Sequence, residues 1–244
     1  KHRSQQHKYN NSFHKHSSFR FMGALYRNTP HRTSRVGGYF VIFSVVAQQE
    51  LWYNRENSGG DTMNDTLQMI KAAIEALLAQ NGTAIVAIDG KCTSGKTTLA
   101  AGLAEIFDCN VLHMDDFFLR PEQRIPERFA EVGGNVDYER FKAEILLPLR
   151  SGNPFSYRPF LCGNQTLGDP IAVSPKNLTI VEGTYSLHPY FEDPYDLKIL
   201  LTVTEETQRQ RILNRPQFLQ DRFFNQWIPM ENRYFASLKN TSHP

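Results

Sequence analysis

The chain has 244 residues, of which 40% are hydrophobic and 21% charged, a composition typical of a water-soluble globular protein with one large or two small domains. Its formal net charge of +2 is too small to indicate nucleic acid or an anionic membrane as the main partner. The cysteines Cys92, Cys109 and Cys162 form no CxxC pair, which favours free thiols over a disulfide framework or a zinc site. We therefore expect a cytoplasmic protein that acts on a small molecule; whether it forms a homo-oligomer stays open.

Residues 1–62 differ in composition from the rest of the chain. They hold most of the histidines and few aliphatic residues, apart from the run YFVIFSVVA at 39–47. That run is far shorter than the about 20 apolar residues needed to cross a bilayer. Because such a segment buries little apolar surface, we expect residues 1–62 to be a disordered or non-native extension, apart from a short element at 39–47. Residues 63–244 then form the folded domain.

From Met63 onward the chain alternates between helical and strand patterns. Apolar residues recur at helical spacing between 67 and 78, and Gly82 ends this helix. Short apolar runs of strand length follow, separated by helical segments, at 83–89, 111–113, 178–181 and 197–203. Continuous apolar strands that alternate with helices indicate an α/β protein with a parallel sheet covered on both faces.

The segment GKCTSGKTT follows the first strand and opens a helix. It matches the pattern G-x-x-x-x-G-K-[ST], in which backbone N–H groups converge on a phosphate. In this pattern Lys96 reaches the β- and γ-phosphates of a nucleotide, and the hydroxyl of Thr97 binds Mg²⁺. The predicted nucleotide-binding residues are Gly90, Lys91, Cys92, Thr93, Ser94, Gly95, Lys96, Thr97 and Thr98.

Acidic residues stand at the ends of the next two strands. Asp115 and Asp116 follow the run at 111–113, and Glu182 ends the run at 178–181. Ligands bind at this carboxyl edge in open α/β sheets. Adjacent side chains at a strand end point to opposite faces, so the two aspartates are expected to have different roles. We predict that Glu182 helps Thr97 to hold Mg²⁺, and that one aspartate faces the γ-phosphate.

Taken together, these segments resemble the uridine kinase branch of the P-loop kinases, which is related to phosphoribulokinase and bacterial pantothenate kinase. The resemblance covers about residues 84–235. It rests on GKCTSGKTT, MDDFF, NVDYERF, VEGTYSLHPYF, TEETQRQRILNR and WIPMENRYF, in this order. It implies a P-loop fold with a β-hairpin and a helical lid, and ATP and Mg²⁺ as donor and metal. It also implies that Asp115 is the catalytic base and that Asp116 is secondary.

The resemblance further implies how the acceptor is held. In that family an aspartate of the segment matched by NVDYERF binds the ribose hydroxyls, which nominates Asp137; an N-cap of the following helix is an equally good interpretation. The stretch around Gly163 and Asn164 reads as a β-hairpin, and the family's hairpin covers the acceptor's base. We therefore expect Tyr157 and Arg158 to contact the acceptor, together with Phe160.

Three arginines lie on the predicted helix after the fourth strand. Arg211 and Arg215 share one face at i, i+4, with Arg209 nearby. In kinases of this kind an arginine-bearing lid closes on the phosphates, which neutralises charge and excludes water. We expect Arg211 to stabilise the transferred phosphoryl group, Arg215 to contact ATP and Arg209 to contact the acceptor.

The sequence thus predicts a kinase that transfers the γ-phosphoryl of ATP, or of GTP, to a hydroxyl, with uridine or cytidine as the favoured acceptor. The alternatives are another acceptor, such as pantothenate, nicotinamide riboside or a sugar, and a nucleotide-binding regulator or remnant without turnover. The alternative of a remnant without turnover is considered because the sequence shows no final edge strand after the predicted lid. Lys96, Asp115 and Arg211 are the predicted catalytic residues.

Overall fold

The structure is a computed structural model that describes residues 39–43 and 62–240, with side-chain environments for 67–238. The strands are β1 (Tyr39–Phe43), β2 (Ala84–Gly90), β3 (Cys109–His113), β4 (Phe155–Tyr157), β5 (Phe160–Leu161), β6 (Thr166–Leu167), β7 (Ile171–Val173), β8 (Leu178–Glu182) and β9 (Leu197–Leu201). Five of them form one parallel sheet in the order β1-β9-β2-β8-β3. The predicted α/β class is confirmed.

The helices lie between and after these strands. They are α1 (Thr62–Asn81), α2 (Lys96–Ile106), α3 (Pro126–Ala130), α4 (Tyr138–Phe141), α5 (Leu147–Ser151), α6 (Glu205–Leu213), α7 (Gln217–Arg222) and α8 (Ile228–Asn240). A π-helical segment at Lys142–Leu146 joins α4 to α5, and a second at Phe223–Trp227 joins α7 to α8. No helix among the described residues is long and apolar enough to cross a membrane.

Apolar side chains cover both faces of the sheet. On one face Val86 and Ile88 of β2 pack in a cluster with Ile74 of α1, and on the other Ala87 packs in a cluster with Phe141 of α4. Successive side chains of a strand point to opposite faces, so the two clusters account for the continuous apolar runs of the sequence. The observed strand boundaries differ from the predicted ones by at most two residues.

The sheet edge beyond β9 is formed by the N-terminal part of the chain. β1 pairs in parallel with β9, with Tyr39 opposite Leu197 and Phe43 opposite Leu201. This strand lies within the short element expected at 39–47, and it occupies an edge for which no strand was predicted. The remaining residues of 1–61 lie outside the described part of the chain, so the division at residue 62 stays a prediction.

The segment between α5 and β8 forms two antiparallel pairs, β4 with β7 and β5 with β6. The inner pair, β5 and β6, is joined by residues 162–165, which include Gly163 and Asn164. The predicted hairpin is therefore present at the predicted turn.

Candidate functional site

The loop between β2 and α2 depends on glycine for its shape. Gly90 has φ 152° and Gly95 has φ 101°, values that residues with a Cβ rarely adopt. A Cβ at Gly90 would also collide with the carbonyl oxygen of Leu201 on the neighbouring strand β9. Glycine is therefore required at the first position of the motif, both for backbone conformation and for space.

Lys96 and the start of α2 place positive charge at the centre of this loop. The Lys96 ammonium donates hydrogen bonds to the carbonyl oxygens of Gly90 (2.9 Å) and Lys91 (3.0 Å), which hold it across the loop. Helix α2 has 11 residues and begins at Lys96, so its unpaired N–H groups add positive potential at the same place. The arrangement has the geometry and charge of a phosphate-binding cradle.

Side chains from α6 and α8 hold the outer side of the loop. The Glu231 carboxylate accepts a hydrogen bond from the Cys92 N–H (2.9 Å), Gln208 donates to the Cys92 carbonyl oxygen (3.2 Å), and Arg211 donates to the Thr93 carbonyl oxygen (2.6 Å). Burial raises the pKa of the Cys92 thiol to about 12, so this side chain stays neutral. The loop is thereby tied to the helices that carry the predicted lid.

A buried carboxylate fixes the base of the loop. Asp89, the residue before Gly90, is fully buried. Its Oδ1 accepts from the N–H groups of Gly90 (2.6 Å) and Tyr185 (3.1 Å), and its Oδ2 accepts from the Leu187 N–H (2.9 Å) and the Tyr234 hydroxyl (2.6 Å). Burial raises the pKa of Asp89, while the Tyr234 hydroxyl and the N–H groups act in the opposite direction. Asp89 therefore links the loop, the turn after β8 and helix α8.

Glu182 and Thr97 lie side by side at the ends of β8 and the loop. The Thr97 hydroxyl is 3.3 Å from Glu182 Oε1, and His113 Nδ1 lies 2.6 Å from the same oxygen. The hydrogen bond with Glu182 raises the pKa of His113. Mg²⁺ is commonly held by one or two protein oxygens together with substrate phosphates. Thr97 and Glu182 could supply the protein oxygens of such a Mg²⁺ site. Residues 39–43 and 62–240 contain no cluster of three or more His, Cys, Asp or Glu that could hold a metal ion.

The two adjacent aspartates have different surroundings. The Asp115 side chain faces the cavity, where desolvation by the surrounding protein raises its pKa and the charge of Lys96 acts in the opposite direction. Asp116 points elsewhere, because its Oδ2 accepts a hydrogen bond from the hydroxyl of Tyr157 (2.8 Å). A carboxylate with a raised pKa that faces the phosphate loop has the properties of a general base.

A cavity of about 760 Å³ joins these groups. Its walls include Cys92 to Thr98 of the loop, Asp115, Glu182 and two of the three predicted lid arginines, Arg211 and Arg215. The further lining residues are Phe118, Asn135, Gly183, Thr184, Tyr185, Asn214, Leu219, Phe223, Trp227 and Glu231. Of the predicted donor, metal and base residues, all but Gly90 and Lys91 line this cavity.

Asp137, predicted to bind the acceptor, lies outside the lining of this cavity. It is buried, its Oδ1 accepts from the Arg140 N–H as the N-cap of α4 (3.1 Å), and its Oδ2 accepts from Gln123 Nε2 (2.9 Å). The N-cap interpretation is therefore confirmed for Asp137, and its contact with a ribose stays a prediction.

The hairpin residues and Arg209 also lie outside the cavity lining. Tyr157 is buried with its ring stacked on Phe117. Arg158 donates to the carbonyl oxygens of Gly168 (2.7 Å) and Leu167 (3.1 Å) of its own hairpin. The Arg209 guanidinium lies over the ring of Phe224 (5.6 Å). These side chains take part in internal contacts, and their contact with an acceptor stays a prediction.

Several residues of the site were not predicted from the sequence. Asp89 ends the apolar run TAIVAID, directly before the phosphate loop. A charged residue at the end of a buried strand was a signal by which Asp89 could have been found. Glu231 and Trp227 belong to WIPMENRYF, a segment recognised from its resemblance alone. His113 precedes the two aspartates by two residues, and its partner Glu182 is distant in sequence, so no local pattern reveals that contact.

Comparison with known proteins supports the fold. No family model and no curated protein matches the chain. A solved structure of a possible uridine kinase from Bacillus stearothermophilus is similar over 75% of this chain and 97% of that one, with a TM-score of 0.57 and 19% identity. The fold is that of a P-loop kinase.

A second solved structure leads to the same fold. It is a proposed fructose transport system kinase from Silicibacter sp. TM1040, similar over 68% of this chain and 93% of that one, with a TM-score of 0.53 and 23% identity. The two structures carry different acceptors in their names, and what this chain shares with both is the fold.

Proposed function

We propose that this chain transfers the γ-phosphoryl group of ATP to a hydroxyl of a small metabolite, with a pyrimidine nucleoside such as uridine or cytidine as the favoured acceptor. One observation carries the proposal. Lys96 and Thr97 of the phosphate loop face Asp115 across a single cavity, so a donor phosphate and an acceptor hydroxyl can meet there. The three free thiols and the proposed use of ATP fit a cytoplasmic enzyme.

In the proposed mechanism Asp115 accepts the proton of the acceptor hydroxyl as the hydroxyl oxygen attacks the γ-phosphorus. The bond between the γ-phosphorus and the β,γ-bridging oxygen breaks in the same step, and ADP leaves. Asp115 is exposed to the cavity, and its pKa is shifted upward, the direction that suits a carboxylate acting as a base. The adjacent Asp116 does not compete for this role, because Tyr157 holds it away from the cavity.

Positive groups surround the position of the transferred phosphoryl. Lys96 and the N-terminal end of α2 bind the phosphates of the donor, and Arg211 and Arg215 line the cavity from the lid side. Thr97 and Glu182 would hold Mg²⁺, which supplies charge neutralisation at the β- and γ-phosphates. Stabilising charge at fixed positions is the main contribution that a protein makes to phosphoryl transfer.

A sugar is the second candidate acceptor. It stays open because Tyr157 and Arg158, which were expected to contact the base of a nucleoside, make internal hydrogen bonds in the structure. A fold relative named as a fructose transport system kinase points in the same direction. A regulator without turnover is less favoured, since Asp115 faces the cavity as a base requires.

The test is a screen for phosphoryl transfer from γ-labelled ATP with Mg²⁺. The panel contains uridine, cytidine, nicotinamide riboside, pantothenate, ribose and fructose, and the Lys96→Ala variant serves as the inactive control. We expect labelled product with uridine or cytidine and none with the control. Slow ATP hydrolysis that no acceptor stimulates would support the regulator and contradict the kinase.

A further inference from the structure

Four residues at intervals of four line the cavity from the last helical region. They are Leu219 in α7, Phe223 and Trp227 at the two ends of the π-helical segment, and Glu231 in α8. Three are apolar and the fourth is the carboxylate that accepts from the Cys92 N–H of the phosphate loop (2.9 Å). We call Leu219, Phe223 and Trp227 the apolar wall.

The π-helical segment explains how these residues share one face. In an ordinary α-helix four residues turn by about 40° more than a full turn. Side chains spaced four residues apart therefore point in gradually changing directions around the helix axis. A π turn contains more residues, which offsets the drift between Phe223 and Trp227. Such segments occur often at functional sites. The local structure therefore directs both aromatic rings to the cavity.

The orientation of the Trp227 ring is constrained by its neighbours. The planes of the Phe223 and Trp227 rings are nearly perpendicular, at 85°, with 4.6 Å between centroids, and the Arg222 guanidinium lies 4.8 Å from the Trp227 centroid. Both rings are only partly buried. A partly exposed indole, fixed in orientation and lining a cavity, is suited to contact the flat face of a ligand ring.

The apolar wall continues into helix α8, which contacts the Asp115 side of the cavity as well as the phosphate loop. The Arg233 side chain of α8 donates to the Phe129 carbonyl oxygen of α3 (2.9 Å), in the segment that follows the aspartates. Tyr234 of α8 lies in the same core cluster as Phe117, two residues after Asp115. Phe118, the next residue, lines the cavity itself. An apolar side chain next to the aspartates therefore lines the same cavity as the apolar wall.

The side chains otherwise expected to recognise the acceptor are engaged in other contacts. Tyr157 is buried against Phe117 and bonded to Asp116, and Asp137 caps α4. We therefore propose that Phe223 and Trp227 bind the acceptor, and that the acceptor carries a planar ring which packs against Trp227 while its hydroxyl reaches Asp115. This inference rests on the proposed function, and it selects a nucleoside over a simple sugar.

Fluorescence of Trp227 reports binding directly, without any turnover. The chain has two tryptophans, so a Trp52→Phe background leaves Trp227 as the single reporter. Uridine and ribose form a matched ligand pair, since they differ in the ring. After correction for ligand absorbance, we expect uridine to change the Trp227 emission and ribose to leave it unchanged.

Kinetics of three variants complete the test. Trp227→Ala should raise the acceptor KM by roughly 5- to 150-fold, as expected for the loss of one ring-stacking contact, and should leave the KM for ATP within about twofold. Trp227→Phe should restore most of the acceptor affinity. Phe218→Ala is the control on the same helix, because Phe218 is 74% exposed and is not part of the cavity lining; it should behave as the wild type.

The failures can be distinguished from each other. Absence of transfer to every acceptor would refute the proposed function, while the emission change with uridine would still report the ring site. Emission that responds to ATP and not to uridine, with a raised KM for ATP in Trp227→Ala, would overturn the inference by assigning the wall to the donor. Efficient transfer to fructose that Trp227→Ala does not affect would overturn it as well.

Discussion

Replacement of Asp89 by asparagine tests how the phosphate loop is held. Asp89 is fully buried and accepts four hydrogen bonds, three of them from the backbone N–H groups of Gly90, Tyr185 and Leu187. Asparagine has nearly the same shape but offers one accepting oxygen. If that oxygen takes the place of Oδ1, the NH₂ group of the asparagine takes the place of Oδ2 and faces the Leu187 N–H and the Tyr234 hydroxyl. The Tyr234 hydroxyl can rotate to accept a hydrogen bond from the NH₂ group, but the Leu187 N–H loses its acceptor.

The magnitude follows from this count. One buried N–H group without a partner costs about 1–3 kcal/mol, and the remaining bonds lose the extra strength that a charged acceptor gives. Part of this loss is offset, because a buried charge is removed. We expect Asp89→Asn to lower the free energy of unfolding by about 2–4 kcal/mol, and Tyr234→Phe, which removes one donor, to lower it by about 1 kcal/mol.

Urea unfolding followed by circular dichroism measures both values. Asp169→Asn is the matched control, because Asp169 is exposed and a surface change of this kind is expected to stay within about 0.5 kcal/mol. The double variant of Asp89 and Tyr234 should show less than the sum of the two losses, since they share one hydrogen bond. An Asp89→Asn variant as stable as the control would refute the view that this carboxylate fixes the loop.

Three further predictions concern charge, the hairpin and pH. Lys96→Ala should reduce turnover by at least about 100-fold and weaken binding of ATP, as measured by transfer assays and calorimetry; normal turnover would exclude the loop as the donor site. Tyr157→Phe removes the hydrogen bond to Asp116 and should lower the free energy of unfolding by about 1 kcal/mol without changing the acceptor KM. A raised acceptor KM would indicate that the hairpin contacts the acceptor. Burial lowers the pKa of His188, whose neutral ring accepts from the Tyr190 N–H (3.1 Å). The stabilising effect of the neutral His188 ring should therefore be complete above about pH 6.5 and decline as the pH falls from there towards the lower folded-state pKa. In urea titrations, the difference in free energy of unfolding between the wild type and His188→Gln should shrink from pH 8 to pH 5. A difference that does not depend on pH would contradict this prediction.

The elements that the sequence predicted well are those specified locally. The strands were visible as continuous apolar runs because both faces of β2 are buried. The loop was visible because Gly90, Gly95 and Lys96 must stand at fixed spacing to surround a phosphate. Both signals depend on neighbouring residues alone, so no knowledge of distant contacts was needed.

The features that the sequence did not reveal depend on contacts between distant segments. β1 joins the sheet through pairing with β9, more than 150 residues later, which no local pattern specifies. The resemblance suggested roles for Asp137 and Tyr157, but the hydrogen bonds of Gln123 and Asp116 determine where those side chains point. A resemblance in motif indicates which residue type stands at a position, whereas the contacts of that residue depend on the surrounding chain.

The measurement that tests the central claim most directly compares Asp115→Asn with Asp116→Asn. Turnover is measured as transfer of labelled phosphoryl from ATP to the best acceptor, and nucleotide affinity is measured separately by calorimetry. If Asp115 is the general base, Asp115→Asn should lose about 10²- to 10⁴-fold in kcat with ATP binding nearly intact, while Asp116→Asn should lose far less and mainly affect stability. Equal losses, or a larger loss for Asp116→Asn, would contradict the assignment of Asp115 and with it the proposed mechanism.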